Sequence, residues 1–288
     1  MAAGKTHLSV YGERLARVVA RFRSIGVDLD RGRLRAYAAA LAATATREGT
    51  DDPDVRKLLW HAACEVEDLE AAASLSDDAL EAVCAGDLVF TSTSGLDQGR
   101  NLCFELVTAA KLGEVSGHRS ALQAPSDAVN EIEGQVLLVE CKRPSTSKGL
   151  GRCITDGYRQ LSEHKRAGAN GIGALSVEVT ALANPDFGVF QAPNREAAIN
   201  GLYRHILRVF AECKDPLTRA GRNIRSDANV HMMMFRLKCM SGNGGPPDIT
   251  TIWQLQPVVP LNSPDFARLY RFMRGHPDFS PGVTYVHQ

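Results

Sequence analysis

The sequence predicts an α/β protein, a central mixed β-sheet flanked by helices and preceded by an all-helical accessory region. Three observations carry this prediction. Apolar residues in the first 90 positions recur at helical spacing. After residue 97, short apolar runs of strand length alternate with longer amphipathic stretches, the pattern of a layered α/β domain. Hydrophobic residues make up 44% of the 288 and charged residues 23%, which are globular values and exclude a disordered or fibrous chain.

In the front, Leu15, Val18, Val19, Phe22 and Ile25 make one buried helical stripe. Asp30 is placed to cap a second helix carrying Leu34, Tyr37, Leu41 and Ala45. Pro53 sits near the start of a third, with Leu58, Leu59, Ala62 and Val66 as its apolar face. Ser76 can cap a short fourth helix, and Gly86 with residues 91–95 reads as a break. Residues 98–112 read as a helix. Two strands, 127–132 and 135–142, turn about Glu133-Gly134. Residues 149–168 read as a helix, 171–180 as a buried strand and 195–213 as a further helix. Residues 231–239 and 249–255 read as strands around a Gly- and Pro-rich loop. Ser263-Pro264 can start a terminal helix holding Phe266, Leu269, Tyr270 and Met273. The division implied is a helical accessory domain over 1–95 and an α/β domain over 96–288.

Lys plus Arg and Asp plus Glu each number 33, so the net charge is zero. That argues against a tail-driven polyanion binder and leaves room for a local basic groove. The charge is uneven: residues 1–90 hold 11 basic and 15 acidic groups, and the remainder holds 22 and 18. Residues 61–90 contain eight acids and no Lys or Arg, whereas 142–166 contain seven basic residues and two acids. No run reaches the ~18 apolar residues of a membrane helix. The first residues lack the apolar centre of a signal peptide. Seven cysteines stand singly without a CxxC pair, which suits a reducing cytoplasm and small core residues.

The chemistry concentrates in residues 125–144. Val136 to Val139 is an apolar run, as in a buried strand, and it ends abruptly in Glu140, Cys141 and Lys142. Alternation along a strand puts Glu140 and Lys142 on one face. A hairpin folded symmetrically about Glu133-Gly134 sets Asp127 opposite Glu140, where Cβ atoms stand ~4.5–5.5 Å apart. Two such carboxylates repel unless something positive sits between them, and a divalent cation that prefers hard oxygens is the natural occupant. Lys142 adds an ammonium on the same face. Glu105 interrupts a mainly apolar helical run, and burying a lone carboxylate is expensive, so it is expected to point at a cation or a wet cleft. Downstream, the helix at 149–168 carries Gln160 among Arg152, Arg159, Lys165 and Arg166, and its basic face is expected to border the same cleft.

A Glu in a helix, an Asp on a strand, Glu-x-Lys on the next strand and a helix with Gln resemble the PD-(D/E)xK, or restriction-endonuclease-like, nuclease superfamily. The likeness covers about residues 105–180 and extends to element order: helix, hairpin, helix, strand. It implies Asp127 and Glu140 as metal-binding carboxylates and the backbone carbonyl of Cys141 as a further ligand. It implies Lys142 as the catalytic lysine, Glu105 as the helix acid that binds or orients a metal-bound water, and Gln160 as a supporting polar group. The family's Pro-Asp pair is here Pro125-Ser126-Asp127, one residue longer. The implied reaction is Mg²⁺- (or Mn²⁺-) dependent phosphodiester hydrolysis, with DNA favoured over RNA as the partner and a role in restriction, defence or repair. Arg143, Lys148, Arg152, Arg159, Lys165 and Arg166 would neutralise backbone phosphates, which gives affinity without sequence information. The helical front would serve partner binding or homodimerisation. The alternative from another class is an inactive relative that keeps the fold to bind nucleic acid or protein.

Other features read more plainly. Gly4-Lys5-Thr6 matches the end of a phosphate-binding loop but lacks the upstream glycine and strand. His61 with Glu65, and the acids Glu65, Glu67, Asp68 and Glu70, read as a solvated helix face. His164, one turn after Gln160, reads as a surface histidine with phosphate contact as the alternative, Met232 to Met234 as core filling, and Arg219, Arg222 and Arg225 as a solvated helix face or an extension of a basic surface.

Overall fold

The computed structural model describes residues 7–28, 33–45, 53–75, 83, 97–117, 126–184, 189–223, 230–242, 248–260 and 262–274. Gly4 to Thr6, Asp30, Ser76, Cys84, Gly86, residues 91–95, Pro125, Arg225 and loop residues 243–247 lie outside them. So do the side chains of Leu41, Ala45, Pro53, Leu58, Leu59 and Met273. The helices are α1 (His7–Ser24), α2 (Arg33–Ala45), α3 (Pro53–Leu75), α4 (Gln98–Ser116), α5 (Ser147–Arg166), α6 (Thr180–Ala183), α7 (Arg195–Asn223) and α8 (Pro264–Arg274). The strands are β1 (Ala128–Ile132), β2 (Gln135–Lys142), β3 (Ile172–Glu178), β4 (Val189–Gln191), β5 (Val230–Gly242) and β6 (Asp248–Pro257). No helix among the described residues is long and apolar enough to cross a membrane.

The chain forms two compact units. The first comprises Met1–Val107, Asn184–Ala198 and Lys238–Thr250; the second comprises Thr108–Ala183, Ile199–Leu237 and Thr251–Gln288. In the first, α1 buries Tyr11, Leu15, Val18 and Phe22, a stripe that returns every three or four residues. α2 and α3 pack against α1; α2 buries Leu34 and Tyr37, and α3 buries Ala62, Val66 and Leu69. Each large apolar side chain so buried stabilises the unit by about 1.5–3 kcal/mol. Val19 and Ile25, assigned to the stripe from sequence, are only half-buried.

Two of the acids of α3, Glu65 and Asp68, overturn the solvated-face expectation. Glu65 is buried and accepts from Arg33 Nε of α2 at 2.8 Å and from Arg100 Nε of α4 at 2.6 Å. The Tyr37 hydroxyl donates to the same carboxylate at 2.9 Å, and Arg100 also binds Asp97 at 2.7 Å. Asp68 is paired with Lys238 of β5, and His61, one helical turn before Glu65 on α3, is buried too. Among the described acids of α3, Glu67 and Glu70 keep partly solvated positions, Glu70 with Arg14 at 2.6 Å. Glu65 and Asp68 thus lie on an internal face, because their counter-charges arrive from α2, α4 and β5.

The second unit is built on a mixed sheet. The strand order is β1-β2-β3-β5-β4, with β6 paired to β5. β1 and β2 are antiparallel, while β2, β3 and β5 run parallel. Every residue of β3 is buried, as expected for a central parallel strand covered on both faces. Met232, Met233 and Met234 of β5 are fully buried core residues, in line with their reading from sequence. β4 adds three residues to the far end of β5 in the first unit. The helix read at 195–213 extends ten residues further, through Pro216.

The two faces of this sheet carry different residues. Glu140 pairs with Leu175 and Lys142 with Val177, so those four share a face. α5 lies on that face: a Cβ at Gly157 would meet Leu175 Cδ2 at 2.6 Å and Lys142 Cε at 3.2 Å. Only glycine lets the helix come so close. The opposite face carries Ser176, whose hydroxyl meets that of Thr108 on α4 at 3.2 Å.

Candidate functional site

The turn between β1 and β2 sets the geometry. Glu133 and Gly134 have φ of 47° and 78°, the two left-handed residues of a two-residue hairpin loop. Ile132 therefore pairs with Gln135, and the ladder runs without a bulge to Ala128 opposite Val139. One further step of this register sets Asp127 across from Glu140, the alignment expected from sequence. Asp127 is pinned there by its Oδ2, which accepts from the Cys141 backbone N–H at 2.8 Å.

Lys142 reaches back along its strand into the gap between the two acids. Its Nζ is 3.0 Å from Glu140 Oε2 and 3.7 Å from Asp127 Oδ2. The other Glu140 oxygen is taken by His164 Nε2 of α5 at 2.9 Å. Glu140 is 1% exposed, Lys142 14% and Asp127 26%, so the cluster opens to solvent on the Asp127 side. No hydrogen bond reaches Asp127 Oδ1 among the described residues.

α5 delivers its residues because both of its ends are fixed. Thr146 caps the start, its hydroxyl accepting from Gly149 N at 3.0 Å. Gly168, at φ 96°, closes the other end. Between them Gly157, Gln160 and His164 follow one another at helical spacing above β2, and Gln160 is half-buried. His164, read from sequence as a surface histidine, is in fact a direct partner of Glu140. Its signal in the sequence was the four-residue step from Gln160.

The remaining site residues divide by position. Glu105 is half-buried on α4 in the first unit, while Asp127, Glu140, Lys142 and His164 belong to the second. Lys148, Arg152, Arg159 and Arg166 are exposed, and Arg159 is paired with Glu163 at 2.8 Å. The 3.6-residue period carries these four about half a turn round α5 from Gly157 and His164. The basic side of the helix therefore faces away from the cluster, which corrects the expectation that it borders the same cleft. Arg143 and Lys165, each next in sequence to a cluster residue, are half-buried.

The electrostatics are those of a site short of positive charge. Burial pushes the Glu140 carboxyl above its ordinary range, and the charge of Asp127 adds to the shift. Lys142 and the hydrogen bond from His164 only partly offset it. Burial works against the Lys142 ammonium, yet two nearby carboxylates carry its pKa upward on balance. The two directions agree: one ammonium shared by two acids is held firmly, and the buried acid still lacks compensation.

Among the described residues, no three His, Cys, Asp or Glu side chains are gathered so as to hold a metal ion by themselves. Two carboxylates facing each other, one oxygen of Asp127 meeting no donor among the described residues, are donors of the kind Mg²⁺ takes. That ion binds through one or two carboxylates and keeps several waters, so it needs no closed protein cage. No family model, no curated protein and no solved structure matches the chain.

Proposed function

We propose that the second unit is a restriction-endonuclease-like nuclease domain that hydrolyses phosphodiester bonds with Mg²⁺ or Mn²⁺, acting on DNA. The observation that carries the reading is the convergence of Asp127, Glu140 and Lys142. They meet at the end of a hairpin that leads directly into α5 and a parallel strand. Asp127 and Glu140 would hold the cation, with the Cys141 carbonyl as a further ligand. A cation bound there would supply Lewis acidity toward a phosphoryl oxygen and toward water.

The chain's own residues supply the rest. Lys142 carries a charged ammonium at the edge of the cluster; moved off the carboxylates by a bound cation, it would still stand close enough to orient a water for in-line attack at phosphorus. In the hydrolysis one P–O bond forms from water, one breaks, and the leaving oxygen takes a proton. Glu140 is held by burial and by a donor from a separate element, His164 of α5. Gln160, one turn before His164, supports the same face of α5. The helical front would serve partner binding or homodimerisation.

Incubation of supercoiled plasmid with Mg²⁺, Mn²⁺ or chelator tests the proposal. Nicking or degradation is expected for the wild type with metal only, and loss of activity in Lys142→Ala. Equal activity in Lys142→Ala would overturn the assigned mechanism. Metal-independent retention of DNA without cleavage would favour an inactive binding module.

A further inference from the structure

We infer that His164 is a positioning residue for the cation site: its Nε2–H holds the Glu140 carboxylate in the orientation that binds the ion. The inference rests on the reading of Asp127 and Glu140 as cation ligands. Each oxygen of Glu140 has its own donor. Oε2 is engaged by Lys142 at 3.0 Å and Oε1 by His164 at 2.9 Å. Against a carboxylate the ring nitrogen can only donate, so the imidazole presents Nε2–H.

The two donors are not equivalent. Lys142 is a flexible cation standing in the gap that a divalent ion would contest, and it is attached to the same strand as Glu140. An arriving cation repels it. His164 approaches from a different element and from the other oxygen, so it need not move when the gap is filled. Its ring is placed by α5, whose distance from the sheet is set by the absence of a side chain at Gly157. With Lys142 drawn off, His164 is the donor that keeps a 1%-exposed carboxylate from turning. Outer partners of this kind typically change metal affinity by about 10–100-fold when removed.

Titration calorimetry of Mn²⁺ into the full chain reads this without any cleavage assay. His164→Phe is expected to weaken Mn²⁺ binding by roughly tenfold or more. His164→Gln keeps a donor at similar reach and is expected to stay within about threefold of the wild type. Asp127→Asn is the control for the site itself and is expected to abolish binding. If His164→Phe proves unfolded by circular dichroism, His164→Ala is read in its place. Wild-type affinity in the folded donorless variant, alongside loss in Asp127→Asn, would overturn the inference and leave the site standing. Equal weakening in His164→Gln and His164→Phe would overturn the donor role. Absence of Mn²⁺ binding by the wild type would overturn the site and the inference together.

Discussion

Replacing Lys142 with Met removes the ammonium and keeps the apolar stem that packs beneath Gly157. At an effective dielectric of about 20, charges 3.0 Å and 3.7 Å apart attract by about 5 kcal/mol each before desolvation is counted. Desolvation consumes much of this, and breaking such a buried pair costs about 3–5 kcal/mol. Glu140 can limit the loss by binding a proton. Its folded pKa is already raised, so its contribution is fully present below the ordinary carboxylate value and is lost as pH rises through the folded pKa. Without Lys142 that pKa climbs further. The variant should therefore be about 3 kcal/mol less stable than wild type at pH 8 and lose less than about half as much at pH 5.

Urea unfolding followed by circular dichroism at both pH values measures this, with and without Mn²⁺. The metal should stabilise Lys142→Met more than the wild type, because no ammonium has to be displaced. A ligand at a hundred times its Kd adds about 2.7 kcal/mol. The same deficit at pH 5 and pH 8 would show that Glu140 is not the group left uncompensated. Equal Mn²⁺ stabilisation of both proteins would show that Lys142 and the cation do not compete.

Two further outcomes are expected. Glu65→Leu leaves Arg33 and Arg100 without their shared carboxylate and should destabilise the chain by about 3–5 kcal/mol in urea unfolding; a change under about 1 kcal/mol would mean the network is not holding the first unit together. Gly134→Ala meets no atom within 4 Å, so only its φ of 78° is at issue; a loss of about 1–2 kcal/mol is expected, and an unchanged unfolding midpoint would mean the turn does not hold that conformation.

The hairpin was legible because its determinants are local. An apolar run, two turn residues and a period of two fix the register, and with it the meeting of Asp127 and Glu140. What was not legible depended on distant sequence. Glu65 reads as solvated until Arg33 and Arg100 arrive from 32 and 35 residues away, and Asp68 until Lys238 arrives from 170 away. His164 reads as exposed until α5 closes on β2 at Gly157. β4 is three residues long and leaves no period to detect. The basic stripe of α5 was visible in composition, but its direction depended on which face Leu150, Ile154 and Leu161 bury.

Glu65 and Glu140 make the functional argument by contrast. Both are carboxylates in the interior, and burial pushes both upward. At Glu65, Arg33 and Arg100 outweigh burial and hold the group well below the usual carboxylate range. Its stability contribution is therefore present above the ordinary carboxylate pKa and is lost only as pH falls. At Glu140 the sign is reversed, because a single ammonium serves two acids and burial prevails. A carboxylate supplied with enough cations behaves as a structural tie. One left short of them, beside a second acid whose Oδ1 meets no donor among the described residues, weakens the fold at neutral pH and would gain from an added cation. That asymmetry within one chain is why the proposed cation site lies at the hairpin end and not in the larger charge network around α3.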